Sequence, residues 1–498
     1  MPKLLTPDDR DWLRRFADLV YSNPFSLDTA EVLARFTLDP RVAQERGHPF
    51  GMLAPSLRER LARIDPDADL RLDQVADDDR PLLRVAWLFD LYDRSIAPLD
   101  RLIAAQEAHP DQPVAVPFAR DTLQALARRG FSDQDAARHL GLYYQLRRAF
   151  HFIDRSLVGA SPAMRALRMQ LWDSLFARDS RDYDRYLWNR MEDFSTLLLG
   201  ETGSGKGSAA AAIGRAAFIP FEPQRGRFSE SFMRGFTAIN LNEYTESLVE
   251  SELFGHRKGA FTGAVADYQG LFGRCSPHGA LFLDEIGEIG VPLQIKLLRV
   301  LQERVFSPVG SREPQRFSGR IIAATNQDLD RRRATGELRE DFYHRLSSLV
   351  IQVPSLRRRL DEAPAELEAL TRSLLQRIVG QPDRVLLERV LGALRRPSLR
   401  THPWPGNVRE LEQAIRRILL TGDYEPRLAT PIGRPSPFVG EPTVRVLTAR
   451  YCAELYRRHG SYEEVSRRAG LDRRTARKYV TEGLAEPLEP GVQAALEP

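Results

Sequence analysis

The sequence predicts a multidomain fold with a helical N-terminal domain, a central α/β domain followed by a second helical region, and a C-terminal helix-turn-helix. Between residues 11 and 150 apolar side chains recur at helical spacing, as in DWLRRFADLVY and LLRVAWLFDLYDRSIAPLDRLIAAQ. From Ser195 short apolar runs alternate with helical segments, which indicates a largely parallel sheet covered by helices. After Pro354 the helical pattern returns, and a short Arg-rich helical segment lies near the end of the chain.

The predicted strands of the central domain are the apolar runs STLLLG, FTAIN, GALFLDE and GRIIAATN. A stretch rich in Pro and Gly, from Gly422 to Pro442, predicts a linker. The predicted boundaries are 1–155 for the N-terminal helical domain, 156–355 for the α/β domain, 356–421 for the second helical region, 422–442 for the linker, 443–485 for the helix-turn-helix and 486–498 for a tail.

Composition argues against membrane and secreted proteins. Of the 498 residues 42% are hydrophobic and 28% are charged, and no apolar stretch approaches the roughly 20 residues that span a bilayer. The N-terminus, MPKLLTPDDRDWLRR, lacks the apolar core of a signal peptide. Cys275 and Cys452 lie in different regions and predict neither a disulfide framework nor a metal cluster. We therefore expect a cytoplasmic protein.

A glycine-rich segment between the first predicted strand and an alanine-rich helix predicts a phosphate site. Glycines let backbone N–H groups close around phosphates, the helix N-terminus favours negative charge, and a lysine reaches the outer phosphates. The alternative is a glycine-rich turn without a ligand. Position 207 is Gly, where a P-loop usually has the Ser or Thr that binds Mg²⁺. The residues predicted to hold ATP here are Gly200, Glu201, Thr202, Gly203, Ser204, Gly205, Lys206 and Gly207.

Two acids, Asp284 and Glu285, end the apolar run GALFLDE. Carboxylates at the end of a buried strand are costly unless a cation or hydrogen bonds compensate them. The sequence therefore predicts Asp284 as the Mg²⁺ partner and Glu285 as the base that orients water at the γ-phosphate. The alternative is a solvated strand end with ordinary acids.

Two further motifs, ESELFGH at 250–256 and GAFTGA at 259–264, resemble the signature of the sigma-54-dependent transcriptional activators, a family of AAA+ ATPases. The resemblance runs from about residue 157 to residue 420. It implies an AAA+ P-loop ATPase with a helical lid, assembled as an oligomeric ring, usually a hexamer, that remodels the sigma-54 RNA polymerase holoenzyme. The polymerase contact would be made by Gly259, Ala260, Phe261, Thr262, Gly263 and Ala264.

The resemblance also assigns residues that respond to the nucleotide. Asn240 matches the asparagine that holds the catalytic glutamate until γ-phosphate is sensed, and Thr325 and Asn326 match the sensor after a buried strand. Arg339 and Arg345 match the paired arginines that act on the nucleotide of the neighbouring subunit.

Arg409 matches the lid arginine that reports nucleotide state. An arginine supplied by a neighbour neutralises charge on the transferring phosphoryl group, so hydrolysis should require assembly. For each arginine taken alone, the alternative is a surface salt bridge.

The sequence departs from the family pattern in three places. Gly207 stands where the family usually has Glu, and we expect this change to be tolerated. The stretches 174–192 and 219–234 are longer than usual and are predicted to be surface insertions. The lid begins with RRRLDE at 357–362, which changes the usual order of a charged motif.

The segment YEEVSRRAGLDRRTARKYV, residues 462–480, has an Ala-Gly turn between two short helical patterns. Residues 443–480 carry ten Arg and Lys against four Asp and Glu. This pattern predicts a helix-turn-helix that binds double-stranded DNA, with a small basic dimerisation hairpin as the alternative. The predicted DNA contacts are Arg473, Arg474, Thr475, Arg477 and Lys478.

The N-terminal region lacks the lysine that a phosphorylation receiver needs beside its aspartate, since no lysine lies between Lys3 and Lys206. We therefore expect a regulatory domain that answers to a ligand or a partner. Residues 131–150 are compatible with a second helix-turn-helix or with a plain helical hairpin, and the hairpin is the expectation.

Three functions compete at this point. The prediction is an activator that binds upstream DNA and uses ATP hydrolysis to drive open-complex formation. An AAA+ unfoldase would share the P-loop, acids and arginines, but it needs neither GAFTGA nor a basic helix-turn-helix. A DNA-binding repressor with a degenerate ATPase would not need Lys206, Asp284 and Glu285 intact.

Overall fold

The computed structural model describes residues 5–36, 49–426 and 444–485. The chain divides into two compact units, Met1–Tyr424 and Glu425–Pro498. Most of the predicted linker, 427–442, and the predicted tail, 486–498, lie outside the described residues. Within the described ranges, no helix is long and apolar enough to cross a membrane.

Seven helices lie in the described part of the first unit ahead of the sheet. Serine and threonine side chains begin several of them, because their oxygens accept backbone N–H groups that the first helical turn leaves unpaired. Thr6 accepts from the backbone N–H of Asp9 at 3.1 Å, and Ser132 accepts from that of Asp135 at 3.1 Å. The helices are α1 Pro7–Val20, α2 Thr29–Phe36, α3 Pro49–Ile64, α4 Arg80–Ala108, α5 Ala119–Arg128, α6 Asp133–Ser156 and α7 Pro162–Phe176.

Residues 131–150 fall largely on one continuous helix, α6, which packs against α5. The described structure therefore has a plain helical hairpin at the place where a second helix-turn-helix was the alternative. A short helical turn, Leu72–Gln74, lies between α3 and α4. Further short turns lead from α7 to the sheet, at Ser180–Asp182, Tyr183–Leu187 and Met191–Asp193.

A five-stranded parallel sheet forms the centre of the first unit, with strand order β4-β5-β8-β1-β9. All four predicted strands are present, because runs such as ALFLD are buried on both faces. The carboxyl ends of parallel strands lie along one edge, which is where ligands bind in such sheets. The strands are β1 Thr196–Leu199, β4 Phe236–Asn240, β5 Ala280–Asp284, β8 Arg320–Thr325 and β9 Leu349–Gln352, with short hairpins β2 Phe221–Glu222 with β3 Arg227–Phe228 and β6 Val305–Phe306 with β7 Gln315–Arg316.

Helices cover this sheet and continue into a second helical cluster with its own core, centred on Leu356, Leu391 and Ile415. The helices around the sheet are α8 Lys206–Gly214, α9 Glu246–Phe254, α10 Leu271–Arg274, α11 Val291–Glu303, α12 Leu329–Ala334 and α13 Glu340–Leu346, with turns at Leu241–Glu243 and Ile286–Glu288. The helices of the second cluster are α14 Leu356–Glu362, α15 Glu366–Val379, α16 Arg384–Leu394, α17 Pro397–Arg400 and α18 Asn407–Thr421.

One hydrophobic core joins the N-terminal helices to the sheet. It contains Tyr144 and Phe152 from α6, Ile213 from α8 and Phe282 from β5. The boundary predicted after residue 155 falls inside this core, so no gap in the packing marks it. The N-terminal helices and the α/β domain are therefore one packed body.

The prediction that residues 174–192 and 219–234 are surface insertions is wrong for their apolar side chains. Phe228, from the β2–β3 hairpin, stacks on Tyr144 with ring centroids 4.1 Å apart. Tyr183 is buried and its hydroxyl donates to Oε1 of Gln145 at 2.7 Å. Both stretches pack against α6, because their aromatic residues need an apolar surface and α6 provides one.

Residues 444–485 of the second unit form three helices, α19 Val444–His459, α20 Tyr462–Ala469 and α21 Arg473–Ala485. Their small core includes Cys452, Val465 and Val480. The turn after α20 passes through Gly470, whose φ of 65° is a left-handed conformation that suits glycine. Asp472 begins α21, because its carboxylate accepts the backbone N–H groups of the next turn.

Candidate functional site

The segment 200–206 forms a tight loop between β1 and α8. Gly203 and Gly205 have φ values of 75° and 108°, which side-chain-bearing residues rarely adopt. A Cβ at position 203 would also lie 2.3 Å from the carbonyl oxygen of Gly406. The loop can therefore bring its backbone N–H groups to the start of α8 only with glycine at these positions, which is the arrangement that binds phosphate.

Lys206 lies inside this loop and is 6% exposed. Its ammonium donates to the carbonyl oxygens of Gly200 at 2.9 Å and Glu201 at 3.3 Å, and burial lowers its pKa. The hydroxyl of Ser204 is buried and meets no hydrogen-bond partner among the described residues. A buried cation beside an unsatisfied hydroxyl fits a phosphate group, which would accept from both.

The predicted acids lie at the carboxyl edge of the sheet, where β4 and β5 end side by side with Asn240 opposite Asp284. Burial raises the pKa of Asp284, while the positive charges of Lys206 and Arg409 lower it. A desolvated carboxylate next to a lysine is a suitable ligand for Mg²⁺, since the cation offsets the cost of burying its charge. Glu285 follows with a φ of 56°.

Glu285 does not contact Asn240 in the way the sequence analysis expected. Its carboxylate accepts the backbone N–H of Asn326 at 3.3 Å. The side chain of Asn240 instead donates to Glu243 at 3.1 Å and accepts from the backbone N–H of Asn242. The expected Asn240–Glu285 hydrogen bond is thus not formed among the described residues, because local turn contacts satisfy the amide of Asn240.

The GAFTGA segment, 259–264, closes on itself. The backbone N–H of Gly259 donates to the carbonyl oxygen of Ala264 at 2.8 Å, and Gly259 and Gly263 have φ values of 81° and 102°. Thr262 is exposed at the tip, and Phe261 is 42% exposed with its ring 4.9 Å from that of His256. The loop therefore presents an aromatic ring and a hydroxyl to the outside.

The comparison with known proteins agrees with this geometry. Residues 185–352 match the model of the sigma-54 interaction domain. Over 330 residues the chain is 36% identical to the transcriptional regulatory protein ZraR of Klebsiella oxytoca, covering 64% of this chain and 67% of ZraR. The chain belongs to the sigma-54-dependent activator family.

Two further proteins are similar to this chain. The Sigma54-dependent transcriptional activator SfnR of Pseudomonas putida is 42% identical over 228 residues, which cover 46% of this chain and 57% of SfnR. A structure of NtrX from Brucella abortus in complex with ATP matches with a TM-score of 0.40 and 22% identity, over 78% of this chain and 86% of NtrX.

The sensor side chain of the activator lies against the P-loop. Nδ2 of Asn326 donates to Oγ1 of Thr202 at 2.7 Å, while its backbone N–H contacts Glu285. Thr325 precedes it at the end of β8 and is fully buried. Asn326 therefore contacts both Glu285, the predicted catalytic base, and Thr202 of the P-loop.

Asn407, in the helical lid of the activator, is a functional residue that the sequence analysis missed. It is fully buried with a φ of 52°, and its Oδ1 accepts the backbone N–H of Leu356 at 2.7 Å. Its Nδ2 donates to the carboxylate of Glu201 and to the carbonyl oxygen of Thr202, both at 3.1 Å. The signal for it was the Gly-Asn pair in WPGNVREL, because Asn is tolerated in this left-handed conformation.

Other contacts strengthen the same junction between lid and P-loop. Arg357 forms an ion pair with Glu201, and the backbone N–H of Val408 donates to the carbonyl oxygen of Gly203 at 3.1 Å. Arg409 is exposed beside these residues, and its charge acts on both Lys206 and Asp284. The altered charged motif at 357–362 thus supplies an arginine that holds the P-loop glutamate.

The two remaining predicted arginines lie at the surface, around α13. Arg339 makes a two-pronged contact with the carboxylate of Asp341, and Nε of Arg345 donates to the carbonyl oxygen of Leu301 at 3.2 Å. Among the described residues no hydrogen bond joins either one to the P-loop of the same chain. Their role on a neighbouring subunit remains a prediction.

The predicted DNA-contacting residues lie on α21. Arg473, Arg474, Arg477 and Lys478 are exposed and Thr475 is partly buried. Arg473 pairs with Glu463 at 2.9 Å, and the guanidinium of Arg477 lies 5.6 Å from the centre of the Tyr462 ring. The helix presents a cluster of cationic side chains, as a helix that enters the major groove would.

Proposed function

We propose that this activator binds ATP with Mg²⁺ at the P-loop, hydrolyses it between the subunits of a ring, and uses the work to remodel sigma-54 RNA polymerase. The ring is expected to be a hexamer. The observation that carries the proposal is that one α/β domain holds the glycine loop with Lys206, Asp284 and Glu285 and, 59 residues after the P-loop begins, an exposed loop that turns on two glycines. The protein would act in the bacterial cytoplasm, where its polymerase and promoters are.

At the nucleotide site each residue has a distinct role. Lys206 and the backbone N–H groups of the loop would hold the β- and γ-phosphates. Asp284 would hold Mg²⁺, which neutralises charge on the phosphates. Glu285 would orient the attacking water, and Arg339 and Arg345 would reach the γ-phosphate bound by the neighbouring subunit.

The coupling to polymerase would run along a short path. Asn240 ends β4 beside Asp284, and α9 leads from that strand towards the 259–264 loop. Within α9, Oγ of Ser251 lies 2.8 Å from Nδ1 of His256, whose ring packs on Phe261. A change in the partner of Glu285 between Asn326 and Asn240, in response to γ-phosphate, would be carried by rigid elements to the loop.

The proposed DNA contact would place the activator upstream of its promoters. Helix α21 would lie in the major groove and its arginines would contact phosphates and base edges. Replacing the exposed Arg474 with Ala should weaken DNA binding and reduce the salt slope by about one, whereas replacing Arg458, which pairs with Glu454 on α19, should change neither. Fluorescence anisotropy of genomic promoter fragments over a salt series measures both.

The test of the main proposal is open-complex formation by purified sigma-54 holoenzyme on a supercoiled sigma-54 promoter, with the full chain at high concentration. Wild type with ATP should open the promoter, and Thr262→Ala should keep ATP turnover and lose opening. Glu285→Gln should bind ATP without turnover, so with ATP it should retain sigma-54 on a column. The double variant with Glu285→Gln and Thr262→Ala should no longer retain sigma-54 on the column.

The alternatives give different results. An unfoldase would hydrolyse ATP but neither open the promoter nor retain sigma-54 in the Glu285→Gln form. A repressor with a degenerate ATPase would bind DNA without measurable turnover in any variant. Loss of turnover in Thr262→Ala would contradict the separation between the nucleotide site and the polymerase loop.

A further inference from the structure

A cavity of about 600 Å³ lies between the N-terminal helices and the segment that leads into β1. This volume is in the range of small-molecule sites. Its walls are mostly apolar and aromatic, and they come from α4, α6, α7 and the turn at Tyr183–Leu187. Residues that represent these walls are Tyr92, Leu142, Phe150, Trp172, Phe176 and Tyr183.

The charged side chains that line the cavity already have partners within the chain. Asp93 pairs with Arg58 at 2.5 Å. The other pairs that involve lining residues are Arg94 with Asp90, Arg147 with Asp100 and Asp184 with Arg138. Because these charges are compensated internally, a charged ligand would have to break an ion pair to gain one.

Two polar groups in the lining are better suited to a neutral ligand. His139 is neutral at physiological pH, because burial and the charges of Arg138 and Arg84 lower its pKa to about 4. The indole N–H of Trp172 is buried and has no acceptor among the described residues. Because less than 1 Å² of this nitrogen is accessible, the part of the wall that Trp172 forms is apolar to a ligand.

Helix α6 connects the cavity to the nucleotide site. One face, with Leu142 and Phe150, lines the cavity. The other face carries Arg148, which is fully buried and donates to the carbonyl oxygens of Arg215 at 2.6 Å and Ala217 at 2.8 Å. These carbonyls follow directly after the P-loop helix α8, so the cation lies near the C-terminal end of this helix, where its dipole favours positive charge.

The packing on this second face is tight. A Cβ at Gly141 would lie 2.8 Å from the ring of Phe218, which follows α8. A shift of α6 would therefore be passed on to α8 rather than absorbed, because packed interiors have no space to deform into. The cavity and the P-loop helix share one rigid element.

We propose that the cavity is an effector site for an uncharged, mainly aromatic small molecule, and that its occupancy changes ATP turnover through α6. The binding step stands by itself. The effect on turnover rests on the ATPase function proposed above.

The test uses the full chain and the neutral aromatic dye N-phenyl-1-naphthylamine, whose fluorescence rises in an apolar site. The dye should bind, and benzophenone, a neutral two-ring ketone, should displace it. The matched anion 4-benzoylbenzoate should compete at least tenfold more weakly, because the lining charges are paired. Ala97→Trp, at an exposed lining position of α4, should weaken dye binding at least tenfold.

The matched control is Ala104→Trp, an exposed alanine on the same helix outside the cavity lining, which should bind the dye within twofold of wild type. Equal binding by both variants, or equal competition by ketone and anion, would overturn the site. Dye binding that is lost in Ala97→Trp but leaves ATP turnover unchanged in wild type would keep the site and overturn the coupling. If no ATP turnover is measured at all, the dye data still decide the site while the proposed ATPase fails.

Discussion

Asn407 shows how a single side chain can hold two parts of the activator in register. It connects the start of the lid at Leu356 with two residues of the P-loop, Glu201 and Thr202. From the segment WPGNVREL, which contains Asn407, the sequence predicted a role only for the neighbouring Arg409. The contact was missed because it joins positions about 200 residues apart, which local patterns do not reveal.

Replacing Asn407 with Gly tests this role without backbone strain, because glycine accepts the same positive φ. Loss of the side chain leaves the backbone N–H of Leu356 buried without its partner, at a cost of about 1–3 kcal/mol. Because ATP binding needs the lid and the P-loop in register, we expect this cost to fall on the bound state and ATP to bind about 5–150 times more weakly. Isothermal titration with ATP measures it, and unchanged affinity would show that the lid is held by Arg357 and Val408 alone.

His139 gives the N-terminal region a predictable dependence on pH. Its folded-state pKa of about 4 lies below the usual 6.5, because it is buried and faces Arg84 and Arg138 more closely than Asp184. The neutral ring therefore contributes its full stability above pH 6.5 and loses it as the pH falls towards 4. Nδ1 lies 2.7 Å from the carbonyl oxygen of Asp135, which fits the neutral tautomer with the proton on Nδ1.

When the pH falls from 7.5 to 5, the unfolding free energy of wild type should decrease by about 2 kcal/mol because of this histidine. His139→Gln, which has no proton to gain, should lose correspondingly less over the same interval. Urea unfolding at the two pH values measures the difference. Parallel curves for the two proteins would mean that His139 is solvated when the chain is folded.

At the scale of elements, the sheet was predicted well and the contacts of α6 were not. Buried parallel strands leave a local signature of continuous apolar residues, so STLLLG, FTAIN, GALFLDE and GRIIAATN were each recognisable. The aromatic residues of the β2–β3 hairpin were taken for surface because their partner, Tyr144, lies far away in the sequence. Periodicity identifies an apolar face but not the element that covers it.

Arg148 is the residue of α6 whose loss should be most visible. Arg148→Met keeps much of the apolar stem but leaves the carbonyl oxygens of Arg215 and Ala217 without their donor. We expect a loss of about 2 kcal/mol in stability and a lower rate of ATP turnover, because the end of the P-loop helix is no longer fixed. Thermal unfolding and phosphate release measure the two effects.

Arg155→Met is the matched control, since Arg155 is an exposed arginine on the same helix. It should change both quantities little, as exposed substitutions usually do. Equal effects of the two substitutions would show that the charge of α6 matters in general and that the contact with α8 does not.

At the scale of the whole molecule, helices α4, α6 and α7 and the α/β domain are not separable bodies. Apolar side chains of the ATPase, among them Phe228, Phe232 and Ile213, are covered by the same core that contains Tyr144 and Phe152. The sequence indicated a change from a helical pattern to alternating strands and helices beyond about residue 157, and the secondary structure does change in this region. It does not mark an edge of the core.

A chain that begins at Leu157 should therefore be poorly soluble, since it exposes these aromatic residues to water. We expect it to appear mainly in the insoluble fraction and to bind apolar dyes, whereas the full chain remains soluble under the same conditions. Sedimentation after expression and dye fluorescence measure this. A soluble fragment with full ATP turnover would show that the core closes without α6.

The stacking of Tyr144 on Phe228 also has a consequence for how such a protein can evolve. Regulatory segments are exchanged between proteins by gene fusion most easily where a linker separates them from the rest of the chain. Here the two sides of the junction fill one another's space, with ring centres 4.1 Å apart. A change of volume on one side must be matched on the other, so we expect the N-terminal helices of this activator and its α/β domain to be inherited together.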